Sequence, residues 1–364
     1  MIMTENLKSL KYLNFIINPV DSFCNLNCRY CYSRQNMKSK KISDNYLINP
    51  PILKWFPDLL NGLNSLTSLE IVTFTWHGGE PLLLPDEFYI NVTELQKKLL
   101  DKKLKYNNVI QTNGTLLTKK RALFFLKLGF DIGISIDGPS FEHNKERFDQ
   151  KIIFEKLKKN LFNLSKCGIP FAVFMVVYEG NVYSENEIFS FLKKLSPQNG
   201  VSFIPRFNTC SYLDPEEYSR FLICLFDLWW SAREPYIAIF ENFISGLEKR
   251  SPRFCFLNNK CGVFVSLDSR GILYSTCQPR DEVKIGKIGK NNLKQLILRH
   301  SSKVKEIIKK IKNENLCDSL GEAPKYSCFS GKGCLKRLAK SKDPYIVSYK
   351  KVIKYIEKKL LNEK

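Results

Sequence analysis

From residue 14 to about 205 the chain alternates short β-branched or aromatic runs with longer segments of helical period. That alternation is what a parallel sheet with crossover helices requires. Six runs read as strands: FIINPV (15–20), LEIVTFTW (69–76), NNVIQT (107–112), DIGISI (131–136), FAVFMVVY (171–178) and VSFIP (201–205). Helical stretches over 85–104, 118–129, 151–166 and 185–195 separate most of them. Six βα units fall short of the eight that close a full barrel, so the expected fold class is α/β, a partial (βα)6 TIM-like barrel. Residues 214–248 read as two amphipathic helices, and beyond 255 the texture changes to cysteine, glycine and short strands (GVFVSLD, GILYST), with a basic helix near 292–312. The expected boundaries are 1–235 for the barrel, 236–254 for a helical bridge, 255–340 for a small cysteine-rich domain and 341–364 for a last helix.

The N-terminus lacks the apolar core and cleavage site of a secretion signal, and no run of about 18 apolar residues is present. The expected location is therefore cytoplasmic, with no membrane partner. In a reducing compartment clustered thiols more often hold metal than form disulfides, and nine of the twelve cysteines are clustered, three within 24–31 and six within 255–334. Cys167, Cys210 and Cys224 stand alone and read as small buried hydrophobes. The net charge of +21 is lysine spread along helices, a solvated face, so a nucleic-acid partner is not expected. His77 reads as a packed, hydrogen-bonded residue and His300 as a solvated one. The first strand begins by about residue 15, so no separate N-terminal leader-binding domain is expected.

In a parallel barrel the functional groups gather in the loops at the C-terminal ends of the strands. Directly after the first strand comes DSFCNLNCRYCYS, giving Cys24-x3-Cys28-x2-Cys31; after the second comes WHGGEP, with Gly78, Gly79 and Glu80. The third runs into Asn113-Gly114, the fourth into Ser135, Asp137 and Gly138, and the fifth into YEGN. Three thiolates from one tight loop suit three irons of a 4Fe-4S cluster, and the fourth iron stays open to the amine and carboxylate of an amino acid.

With Tyr30 before its last cysteine and GGEP after the next strand, this loop resembles the signature of the radical S-adenosylmethionine (SAM) superfamily. The resemblance implies roles residue by residue. Carbonyls at Gly78, Gly79 and Glu80 take the methionyl ammonium of SAM; Ser135 and Arg147 are candidates for its carboxylate; Tyr30 lies against the adenine; Asn113 or Asp137 reaches polar SAM atoms. Asn113-Gly114 and Asp137-Gly138 also read as ordinary turn pairs, and Arg147 as a surface charge.

WHGGEPLL, QTNGTLL, SIDGP, His143-x3-Arg147 and the C-terminal cysteines are similar to peptide- and protein-modifying members with a SPASM or twitch extension, the group that includes anaerobic sulfatase maturases. By order, Cys255, Cys261, Cys277 and Cys334 form the ligand set of one auxiliary 4Fe-4S cluster; Cys317 and Cys328 do not complete a second. Where the maturases carry an aspartate base in a segment like YFDN, this chain has Ile239-Phe240-Glu241-Asn242, so Glu241 is the candidate catalytic base, or else a charged residue on an exposed helix side. The implied activity is reductive cleavage of SAM to a 5'-deoxyadenosyl radical and oxidation of a peptide or protein, expected as a cross-link in a ribosomally made peptide. The implied electron donor is of flavodoxin or ferredoxin type. The alternatives are a sulfatase maturase making formylglycine, an RNA-modifying enzyme of the same superfamily, and a non-catalytic protein in which both cysteine groups hold zinc.

Overall fold

Five strands form within two residues of the expected bounds and the first begins three residues earlier than expected, its 18–20 end passing into a turn: β1 (Tyr12–Ile17), β2 (Ile71–Trp76), β3 (Lys105–Thr112), β4 (Phe130–Ser135), β5 (Ala172–Val177) and β6 (Val201–Pro205). The computed structural model describes residues 10–31, 43–207, 212–248, 250–258, 260–277, 279, 281–310, 334 and 343–362. By contact the chain falls into two compact units, one drawn from 1–25, 33–132 and 262–307 and the other from 26–32, 133–261 and 308–364.

In the first unit β1, β2 and β3 run parallel, with Ile17 opposite Trp76 and Trp76 opposite Ile110. Their loops therefore open on one rim. Helices α1 (Ile52–Asn64), α2 (Asp86–Leu99) and α3 (Lys119–Lys127) belong to this unit. Phe15, Phe56, Phe74 and Trp76 are fully buried and meet ring to ring at 5.7 to 6.2 Å. Each such ring contributes about 1.5–3 kcal/mol through burial alone. The polar atoms under this layer are satisfied, since Asn108 Oδ1 accepts from Trp76 Nε1 at 3.0 Å and the Asn108 and Gln96 amides exchange two hydrogen bonds.

Helix α1 escapes the sequence reading because Pro57 and Gly62 lie inside it and Pro50-Pro51 precede it. Its buried set Ile52, Trp55, Phe56, Leu59, Leu60 and Leu63 nonetheless keeps helical spacing. Gly62 is there for space: a Cβ would lie 2.8 Å from Leu293 Cβ.

A seventh parallel strand enters from the cysteine-rich segment. Strand β7 (Phe264–Leu267) pairs with β1, Ile17 opposite Leu267, and continues antiparallel into β8 (Ile272–Tyr274) and β9 (Lys284–Lys287). Helix α8 (Leu293–Lys310) follows in the same unit.

In the second unit β5 pairs in parallel with β4 and with β6, with α4 (Lys151–Lys166) and α5 (Glu185–Leu195) as the intervening helices. Helix α6 (Pro215–Trp230) starts on an Asp214 cap whose carboxylate accepts from Glu216 N and Glu217 N. It packs against α9 (Ile346–Asn362), where Tyr218 meets Tyr345 and Tyr349, and α7 (Ala238–Leu247) lies along β6. No helix among the described residues is long and apolar enough to cross a membrane.

Three single-residue expectations fail. Cys167, the last cap of α4, and Cys224 on α6 are exposed rather than buried, because each falls on the polar side of its helix. His300 is fully buried rather than solvated: it occupies the apolar stripe of α8 with Leu296, Ile297 and Val304, and its Nε2 lies 2.8 Å from the Gly262 carbonyl. Burial pushes its pKa down to about 4, only partly opposed by that carbonyl. The unfolded chain thus binds the extra proton first, so His300 contributes stability above pH 6.5 that is lost as pH falls toward 4. Anaerobic urea unfolding should show wild type losing up to about 1.4 kcal/mol per pH unit more than His300→Gln below pH 6.5. Parallel pH profiles for the two proteins would rule this out.

Candidate active site at the strand ends

In the first unit the loops at the strand ends are held by backbone contacts. After β1 the chain turns through Asp21, which takes a left-handed φ of 51°, and the turn after β2 reaches over to it. Gly79 N–H donates to Asp21 O at 2.7 Å and Glu80 N–H to Phe23 O at 2.8 Å. A Cβ on Gly79 would lie 1.8 Å from the Phe23 oxygen, so only glycine permits this approach. Gly78 has φ of +102°, also a glycine conformation. With the amides of Gly79 and Glu80 spent on the cysteine loop, the carbonyl side of the turn is the one that can receive an ammonium group.

The Glu80 side chain does different work from its backbone. Wholly buried, its carboxylate accepts from Leu82 N at 2.9 Å, Thr112 Oγ1 at 2.7 Å and Asn113 N at 2.8 Å, which ties the loops after β2 and β3 together. Burial raises its pKa although these donors oppose the rise. Asn113 in turn aims its amide at the cysteine loop, with Nδ2 2.9 Å from Asn25 Oδ1 and 3.7 Å from Cys24 Sγ. His77 is half-buried, and its Nδ1 accepts from Gly78 N.

In the second unit the later part of the cysteine loop meets the loop after β4. Asp137 is fully buried, and its carboxylate accepts from the Tyr30 hydroxyl, from Arg147 Nε and Nη2 at 3.1 Å each, and from Val176 N at 2.9 Å. Arg147 Cζ also stands 5.5 Å from the Tyr30 ring centre, and the Arg147 carbonyl accepts from Cys28 Sγ at 3.6 Å. Arg147 is thus a buried ion-pair partner rather than a surface charge, and its fork is engaged by Asp137. Burial alone would weaken its hold on its proton, but the Asp137 carboxylate, Tyr30 and Cys28 outweigh that and push its pKa up. Burial likewise holds the Tyr30 hydroxyl well above its ordinary range, so it remains a donor. Ser135 is half-buried at the end of β4.

Two residues missing from the sequence reading complete this network. Asn144 Oδ1 accepts from Asp137 N at 2.8 Å, and Asn181 Nδ2 donates to Asp137 O at 2.9 Å. Both asparagines are buried, 0% and 1% exposed. Their signal was local: Asn144 sits inside His143-x3-Arg147 and Asn181 in the YEGN turn.

The C-terminal candidates are placed separately. Cys255 opens a short helical turn, Cys255–Asn258, and is half-buried; Cys277 is half-buried after β8; Cys334 is buried, its N–H donating to Asp343 Oδ2 at 2.7 Å. The Cys261 side chain, Cys317 and Cys328 lie outside the described residues. Glu241 is half-buried in the first turn of α7, and its neighbour Asn242 accepts from Arg253 N and Phe254 N just before Cys255.

Among the described residues no three His, Cys, Asp or Glu side chains form a group that could hold a single metal ion. The fit of an iron-sulfur cluster to residues 24–31 rests on the donor set. Cys24, Cys28 and Cys31 are half-exposed, none is in a disulfide, and three soft thiols leave one iron of a 4Fe-4S cluster without a protein ligand.

A model of the radical SAM superfamily matches residues 19–192, which run from just before the cysteine loop into α5. Residues 19–192 carry the radical SAM domain, and that superfamily implies a 4Fe-4S cluster and SAM as cofactors. Within that class the chain is similar to a serine-type anaerobic sulfatase-maturating enzyme of Bacteroides thetaiotaomicron, 29% identical over 394 residues that cover 97% of this chain and 93% of the relative. A cysteine-type enzyme of Clostridium novyi is also 29% identical, over 306 residues and 79% of each chain. The solved structure of native anSMEcpe with bound AdoMet matches with a TM-score of 0.76 at 25% identity, over 96% of this chain and 98% of that one. With the Cp18Cys peptide also bound, that protein gives 0.77 at 24%, over the same shares.

Removing one member of a buried ion pair strands the other. Asp137→Ala should therefore destabilise the protein by about 3–5 kcal/mol in anaerobic urea unfolding. A loss below about 1 kcal/mol, the usual size for an exposed pair, would mean Arg147 is not held as described.

Proposed function

We propose that this protein oxidises a cysteine or serine side chain of a peptide substrate to formylglycine, as an anaerobic sulfatase maturase does. The observation that carries the reading is similarity along nearly the whole chain to a maturase, with a second maturase of the other substrate type matched at the same identity. The cross-linking expectation has no comparable support.

When bound, SAM and the clusters supply the one-electron chemistry that removes a hydrogen atom from the substrate Cβ and accepts the electron left behind. An external donor of flavodoxin or ferredoxin type provides the electron that starts it. The chain's own residues do the rest. Cys24, Cys28 and Cys31 hold the first cluster, and Gly78, Gly79 and Glu80 offer carbonyls to the methionyl ammonium. Ser135 offers its hydroxyl to the carboxylate, and Tyr30 lies against the adenine. Asp137 and Arg147 fix Tyr30, and Asn113 steadies the Cys24 side of the loop. Cys255, Cys261, Cys277 and Cys334 hold one auxiliary cluster. Glu241 takes the hydroxyl or thiol proton of the substrate as the carbon is oxidised, reaching one methylene farther than the aspartate of the related motif. Serine then stands at the aldehyde directly, whereas cysteine stands at the thioaldehyde, which water hydrolyses to the aldehyde with loss of hydrogen sulfide.

Anaerobically reconstituted enzyme, given peptides that carry the sulfatase motif with cysteine or with serine, should yield formylglycine by mass spectrometry. Unmodified peptide beside normal 5'-deoxyadenosine formation would overturn the maturase reading and leave the superfamily assignment intact. Cys28→Ala should abolish 5'-deoxyadenosine, whereas Cys277→Ala should keep SAM cleavage and lose product. Glu241→Gln should lower product formation about a hundredfold, the size of a general-base contribution, with SAM cleavage retained. Equal product from Glu241→Gln and wild type would remove Glu241 from the chemistry.

A further inference from the structure

We infer that Asp21 is a positioning residue that latches the first arm of the cysteine loop to the β7–β8 turn, so that the strand entering from the C-terminal region sets where Cys24 stands. The inference rests on the superfamily assignment and not on the identity of the substrate.

The geometry begins with register. Because β7 runs parallel to β1 with Leu267 opposite Ile17, the turns that leave the two strands lie side by side, and Asn18 N–H donates to Leu267 O at 2.8 Å. Three residues on, the Asp21 carboxylate accepts twice from one residue of the neighbouring turn: Ser269 N at 2.8 Å on Oδ1 and Ser269 Oγ at 2.7 Å on Oδ2. Ser269 is itself immobilised. It is 2% exposed, its carbonyl accepts from Trp55 Nε1 at 2.9 Å, and the turn around it is braced by Asp268, which accepts from Arg270 N and Ile272 N.

On its other side Asp21 meets the SAM-binding turn, since its own carbonyl takes the Gly79 N–H. One residue therefore holds the β2 turn with its backbone and the β7–β8 turn with its side chain, three positions before Cys24. Its left-handed φ is a cost for any side chain but the short polar ones, and the latch is what that conformation makes possible. Nothing in the chemistry of SAM cleavage calls for a carboxylate here. The arrangement makes sense as mechanical linkage: strand β8 continues directly to Cys277, so the hairpin carrying a proposed auxiliary ligand and the loop carrying Cys24 are fastened at one point.

The test separates the backbone conformation from the carboxylate. Glycine and asparagine both accept a left-handed φ, but only asparagine keeps an acceptor for Ser269 N and an amide that the serine hydroxyl can turn to meet. Full-length, anaerobically reconstituted Asp21→Gly and Asp21→Asn are compared with wild type by iron content, by the change SAM makes in the electron paramagnetic resonance of the reduced first cluster, and by the KM for SAM. Asp21→Gly, which loses both hydrogen bonds from Ser269, should keep its iron yet require at least about tenfold more SAM for the spectral change, while Asp21→Asn stays near wild type. Equal SAM responses in Asp21→Gly and wild type overturn the latch. A wild-type cluster that SAM does not perturb overturns the superfamily chemistry instead. Should Asp21→Gly fail to fold, Ser269→Ala removes only the hydroxyl bond. It should show a smaller shift in the same direction, and an unchanged SAM response in it would equally overturn the proposal.

Discussion

Two backbone amides, those of Gly79 and Glu80, close on the carbonyls of Asp21 and Phe23, and this contact joins the strand that ends in the cysteine loop to the strand that ends in the glycine turn. It works only because residue 79 has no side chain, the alternative being a carbon 1.8 Å from an oxygen. Glycine's conformational entropy cost is thus tolerated at the place where a side chain would force two loops apart. Once the amides are committed, the direction in which the turn's carbonyls point is settled too. The buried Glu80 carboxylate, with three donors on it, then carries the order outward to the loop after β3.

The later part of the cysteine loop is governed by charge. Asp137 has no exposure and gathers a guanidinium fork, a phenol and an amide N–H, which is about as many partners as a carboxylate can accept. Desolvation of the pair would be prohibitive without that saturation. Its effect is to freeze Tyr30, the residue just before Cys31, from its hydroxyl and from its ring face together. An arginine that looked available to a ligand's carboxylate is, in the folded chain, already spoken for by a carboxylate of its own.

Much of this was legible in the residues. The strand alternation located all six barrel strands, because a buried parallel strand writes itself as a continuous β-branched and aromatic run. The loop motifs placed Cys24, Gly79, Asn113 and Asp137 at strand ends for the same reason. What stayed hidden depends on partners distant along the chain. Helix α1 was masked by Pro57 and Gly62, whose local meaning is turn, although both lie inside the helix and Gly62 gives room for close packing on Leu293. His300 looked solvated in a lysine-rich stretch, although its spacing from Leu296, Ile297 and Val304 put it on the apolar side. Asn144 and Asn181 lie in visible motifs, but their roles stayed hidden, since an asparagine in a turn and an asparagine bracing a buried aspartate have the same sequence.

Strand β7 has a bearing on how such a chain can be divided. By lying along β1 it covers a row of peptide groups that would otherwise face solvent as an open sheet margin, the kind of surface that recruits other chains and aggregates. A chain shortened before β7 would expose that margin beside the very strand that leads to the first three cysteines.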